Sequence, residues 1–163
     1  MLVDFNSMPD TARVWVYQSN RPLTDSENQQ LGERARVFAE QWQSHGRPVA
    51  ASALLTYNRF LVFFADESSA AVSGCSIDSS VAFVREIESE FNLNFFDRMQ
   101  VVYLKDVEKN EIDHFDFRNF KDLQKEGSLS SSSLIFNNLV QNKGEFLQSW
   151  QTPIADSWLA AQL

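Results

Sequence analysis

Six apolar residues in a row, at 60–65 within FLVFFAD, constrain this chain more than any other feature. The run is far short of the ~20 residues that cross a bilayer. Asn58 before it and Asp66 after it bound it as a strand. A strand that is apolar at odd and even positions has no face for water. The sheet that holds it must be covered on both sides.

The neighbouring segments suit such a sheet. Residues 12–19, ARVWVYQS, set Val14 and Val16 against Trp15 and Tyr17, a second strand apolar on both faces. Thr24 with Glu27 three residues on is a capping box. Leu31, Ala35, Phe38 and Trp42 then draw one apolar stripe along a helix, which Gly46 and Pro48 end with His45 in the last turn. Residues 49–57, VAASALLTY, read as a weaker strand joined to the apolar run by a tight hairpin at Tyr57-Asn58-Arg59-Phe60, where Asn58 tolerates positive φ. A second helix is expected over 79–91, with Phe83, Val84, Ile87 and Phe91 on its face, and a strand over 99–106.

That order, β-α-β-β-α-β, predicts an α+β fold of the ferredoxin-like sandwich type over 1–106. Its first and third strands would be central and its second an edge. Two helices cover only one face of such a sheet. The aromatic-rich extension 107–163, within a single domain of 1–163, is expected to cover the other. Phe115 and the residues after it would pack on Trp15, Tyr17 or the odd positions of 60–66; a homodimer packed face to face is the alternative cover. Within the extension, 119–127 reads as a short helix ending in Gly127 and 127–133, GSLSSSS, as a flexible loop. LIFNNLV at 134–140 fits either a strand or the start of a helix.

With 22 acidic against 14 basic residues the net charge is -8, and no basic stripe is visible, so neither nucleic acid nor a membrane is expected as a partner. One cysteine makes no internal disulfide, and the N-terminal residues show no basic-then-apolar signal. The cytosol is the expected compartment.

The chemistry on offer is thin. Cys75, in SGCSID, is placed just outside the helix expected at 79, with Asp78 as its natural N-cap. Helix N-termini favour thiolates, but a cap carboxylate opposes one, and a nucleophilic cysteine needs a base. In a split βαβ fold the end of the first helix lies beside the start of the second, which would bring His45 toward Cys75. Catalytic candidates are therefore Cys75, His45 and Asp78. Against them stands a small cysteine packed under a turn, the commoner role. The acidic run EIDHFD, with Asp113, His114 and Asp116, reads as a surface loop, since no EF-hand spacing is present. One Cys and two His far apart match no zinc pattern, and no GxxxxGK[ST] or GxGxxG exists to cradle phosphates. No cofactor and no metal are expected.

RVWVYQSNR, WQSHG, YNRF, SGCSID and FNNLVQNKGEFLQSW together resemble a family of short uncharacterised bacterial proteins. Its members often carry the label "ABC transporter ATPase". The resemblance covers nearly the whole chain and implies a cytosolic bacterial protein. It assigns no catalytic residue, and the absence of a Walker A motif leaves the label without its chemistry. The reading favoured by the residues is a non-catalytic binding or interaction module. The alternative is a thiol-dependent enzyme with Cys75 as nucleophile and His45 as base.

Overall fold

The apolar run forms a strand buried at every position but its last, Asp66, and its two faces are covered by different parts of the chain. The computed structural model describes residues 1–163, a mixed α/β fold with several helices and antiparallel sheets. Two compact units are present: residues 1–96 with 139–146, and 97–138 with 147–163. In chain order the first contains β1 (Arg13–Gln18), α1 (Asp25–Gln41), β2 (Gln43–Ser44), β3 (Arg47–Pro48), β4 (Ala50–Thr56), β5 (Phe60–Asp66) and α2 (Gly74–Phe91). There follow β6 (Gln100–Asp106), β7 (Glu111–Asp116), α3 (Phe120–Lys125), β8 (Leu134–Phe136), α4 (Lys143–Ser149) and β9 (Gln151–Pro153). No helix is long and apolar enough to cross a membrane.

In the first unit, β5 lies between β1 and β4, antiparallel to both. The hairpin into β5 turns at Tyr57 and Asn58, both at positive φ (56° and 49°), the turn that matches strand twist. Odd positions Leu61 and Phe63 join Leu31, Ala35, Val84 and Ile87 in the core under α1 and α2. Trp15 and Tyr17 face the same way: Trp15 meets Trp42 edge-on at 5.5 Å, and Tyr17 meets Phe63 at 6.3 Å. The expectation that the C-terminal extension would cover this odd face is thus corrected; the helices take it. The even face is where later residues arrive. Phe146 packs edge-on against Phe64 at 5.2 Å, and Phe5 meets the same ring at 5.0 Å. Lys143, itself buried, donates from Nζ to the carbonyls of Phe5 (2.8 Å) and Met8 (2.7 Å), fastening the N-terminal segment there.

The four-stranded ferredoxin-like sheet is not formed. In that topology the strand at 100–106 would pair with the outer edge of β1. That edge is already in use: Val14 N donates to Gln141 O (3.1 Å), and Lys143 N donates to Ala12 O (2.8 Å). β6 instead closes a local hairpin with β7, turning at Asn110 (φ 56°), and stands in a separate sheet of order β7-β6-β8-β9. A short loop closes at less entropic cost than a crossover. The second strand of the expected sandwich, β4, does lie at an edge. The first, β1, was expected to be central and is the other edge.

The second unit builds its own core from Val101, Phe115, Phe120, Ile135, Ile154 and Leu159. An aromatic cluster near the C-terminus supports it, with Phe136 on Trp150 at 4.7 Å and Phe117 on Trp158 at 5.6 Å. The short helix expected at 119–127 is α3, followed by Gly127 at φ 80°, a left-handed stop that favours glycine. LIF at 134–136 is strand, not helix. EIDHFD, expected as a loop, is β7.

Candidate functional site

The residues singled out for chemistry all fall in the first unit, around the start of α2. That helix begins five residues earlier than its apolar pattern suggests. Ser73 caps it: Ser73 Oγ accepts from Ser76 N at 3.2 Å. Asp78 is therefore not the cap; it is exposed, one turn inside the helix. The start is held from outside by the segment after α1. Trp42 Nε1 donates to Ser76 O (2.9 Å), Ser76 Oγ donates to Gln43 O (2.7 Å), and Ser73 N donates to Ser44 Oγ (3.2 Å). Seven residues of small or polar character at 73–80 leave no apolar stripe to announce this first turn, so the periodicity misses it.

Cys75 occupies that first turn and is exposed, not packed under a loop. His45 is not in a helix. α1 ends at Gln41, and His45 sits at the tip of the β2–β3 hairpin at φ 51°, also exposed. The expected juxtaposition of segments is present, because Ser44 bonds Ser73. No hydrogen bond or ion pair joins His45, Cys75 or Asp78 to one another. An accessible thiol without a hydrogen-bonded base has the surroundings of an ordinary surface cysteine. No group of three or more His, Cys, Asp or Glu side chains is placed to hold a metal ion.

The second unit contains a feature that no sequence motif announces. An open cleft of about 630 Å³ is lined by Asp97, His114, Asp116, Asp122 and Glu126, with Phe115 and Leu123 in its wall. The volume falls within the range of ligand sites, ~300–1,000 Å³. Its carboxylates are not equivalent. Asp116 is neutralised by Arg118, which donates Nε to Oδ1 (2.9 Å) and Nη2 to Oδ2 (2.7 Å). Those bonds, with one from Arg118 N, hold the Asp116 carboxyl well down, at about 2. Asp97 accepts from Met99 N (2.9 Å). Asp122 and Glu126 make no side-chain hydrogen bond or ion pair.

Those two unpaired carboxylates lie four residues apart, Asp122 in the first turn of α3 and Glu126 at its C-cap, and their mutual repulsion costs local stability. Like charges one turn apart repel, and Glu126, the C-cap, adds a negative charge to the negative end of the helix dipole. The spacing DxxxE before a glycine was readable at 122–127; what hid it was the pair of lysines, Lys121 and Lys125, interleaved on the same short helix. Neither lysine lines the cleft, and no arginine does. In comparisons with family models, curated proteins and solved structures, nothing matches this chain.

Proposed function

We propose that this chain is a non-catalytic binding module whose second unit takes a cationic side chain or amine in the cleft beside α3. The observation that carries the reading is the unpaired pair Asp122 and Glu126 lining a cleft walled by Phe115 and Leu123. An ammonium or guanidinium between the two carboxylates relieves their repulsion and the clash of Glu126 with the helix dipole. The methylene stem of a lysine or arginine packs on the apolar wall, as such stems do on protein surfaces. A basic peptide segment supplies both parts. The likeness to the family of short bacterial proteins is compatible with this role and names no residue for it. The thiol alternative draws no support from Cys75, which is exposed and without a bonded base.

The test is isothermal titration of the full chain with a lysine hexapeptide and, separately, a glutamate hexapeptide. The lysine peptide should bind, more weakly as salt is raised. Asp122→Asn with Glu126→Gln should reduce that affinity by about tenfold or more, the scale of a lost charge-assisted pair. Glu108→Gln with Glu111→Gln, which makes the same change in net charge outside the cleft, should leave it nearly unchanged. Equal losses in the two double variants would reduce the binding to general attraction by an acidic chain and end the proposal.

A further inference from the structure

The first unit has a sheet edge that its own chain leaves open. Three other edges are managed. β1 is met along 12–14 by residues 141–143. β7 is EIDHFD, dense in charge, and β9 is three residues long with a proline. Charge, proline and brevity are the usual devices against edge pairing. β4, AASALLT, has none of them.

The register shows which groups on β4 are available. Ala51 N donates to Met1 O (3.0 Å) and Ala51 O accepts from Val3 N (2.8 Å), so Ala51 points its backbone away from β5 toward the N-terminal segment. Backbone direction alternates along an antiparallel strand. Ala53 and Leu55 therefore point their N–H and C=O groups the same way, and no backbone group of this chain meets them. Beside them is a notch of about 280 Å³ between β4 and α1, lined by Ala53, Leu55, Gly32, Glu33 and Arg36.

Gly32 lines the same notch. It sits in the middle of α1, where glycine costs about 0.8–1.0 kcal/mol relative to alanine. Its backbone is ordinary helix, so no positive φ asks for glycine. A Cβ built there would meet nothing within 4 Å. Nothing in this chain requires the absent side chain; a glycine lets another backbone approach closely.

We infer that a second copy of this chain adds its β4 to this edge, antiparallel, about a two-fold axis at Leu54. The pattern is self-complementary. With the axis at Leu54, Ala53 of one copy faces Leu55 of the other, and their outward N–H and C=O groups satisfy one another in reciprocal pairs. The same axis, perpendicular to the sheet, lays the two α1 helices side by side and antiparallel over the joined edge, with Gly32 allowing their approach. Glu33 and Arg36 both line the notch, so each helix offers an acid and a base to the base and acid of its partner. A foreign strand would need to match this pattern; a second copy matches it by symmetry. The inference is independent of the cleft beside α3.

Sedimentation velocity of the full chain over a wide range of concentration tests it. The expected species has twice the mass of the 18.7 kDa chain. Gly32→Lys should give a folded monomer, since the new side chain has open space in the monomer and lysine is the better helix former. Arg36→Glu alone should weaken the dimer about tenfold or more, and adding Glu33→Arg should restore it, because the exchanged charges again meet opposites. The rescue arm reads out even if the lysine variant folds poorly. A parent chain that stays monomeric at every concentration would overturn the inference, as would a dimer indifferent to both Gly32→Lys and Arg36→Glu.

Discussion

The indole of Trp42, the C-cap of α1, donates to the carbonyl of Ser76 in the first turn of α2 at 2.9 Å, across 34 residues of sequence. The bond is buried, and with Ser76 Oγ on Gln43 O it fixes where α2 starts. Trp42→Phe keeps most of the ring packing and loses the donor. It should cost about 0.5–1.5 kcal/mol in urea unfolding, the net worth of one hydrogen bond, because Ser79 Oγ still donates to Ser76 O (2.7 Å). Ser73→Ala should cost about 1 kcal/mol through the lost cap. Asp78→Ala, on an exposed helical position, should stay within about 0.5 kcal/mol. A larger loss at Asp78 than at Ser73 would contradict the cap assignment.

Cys75 should behave as an accessible thiol with no partner. In native protein, iodoacetamide should label it without denaturant, and His45→Ala should leave the labelling rate unchanged. Cys75→Ser should leave stability within about 0.5 kcal/mol. A labelling rate that collapses in His45→Ala would revive the thiol enzyme.

Lys143 is the fastening of the N-terminal segment, through two carbonyls and its position 4.5 Å above the Phe5 ring. Lys143→Met fills a similar volume without donors; it strands the Met8 carbonyl, while Phe5 O keeps its bond from Met8 N (3.1 Å). It should cost about 2 kcal/mol. Amide hydrogen exchange should accelerate first over residues 5–8, ahead of α2. Uniform acceleration instead would mean that Lys143 does not act locally.

Acid should weaken the first unit through Glu27. Arg21 donates to both of its carboxylate oxygens at 2.8 Å, and Thr24 N donates to it as the reciprocal half of the capping box. These hydrogen bonds, that from Arg21 foremost, lower the carboxyl from 4.5 to about 2. The unfolded chain therefore takes up this proton first as pH falls. The contribution of Glu27 is complete above 4.5 and is lost progressively toward 2. The urea midpoint of the parent should exceed that of Glu27→Gln near neutrality, and the gap should close as pH is lowered through that window. A gap constant with pH would mean that the ionised form is not what Arg21 stabilises.

Much of the first unit was legible residue by residue. The capping box at Thr24 and Glu27, the stripe of Leu31, Ala35, Phe38 and Trp42, and the hairpin turn with Asn58 at positive φ are local, and each formed as its chemistry directs. The start of α2 was not legible, because its first turn consists of small and polar residues and is held by Trp42 and Ser44 from a distant hairpin. Cys75 was misread with it: moving the helix start from 79 to 74 turns a loop residue into an exposed helical one. The cleft escaped because its walls come from 97, 114–116 and 122–126, and only folding brings those together.

The sequence by itself determined that the strand at 60–66 must be covered on both faces, since apolar groups at alternate positions leave water no side to wet. Which residues supply each cover was decided only by the tertiary structure. Periodicity states how much of a segment is buried and says nothing of against what. Phe5 and Phe146 are as apolar as the rings expected to pack on Trp15, and a strand at 100–106 fits equally well beside β1 or beside β7. The choice fell to chain connectivity: Gln141 and Lys143 hold the edge of β1, and a short turn at Asn110 brings β7 to β6 before any longer excursion is needed.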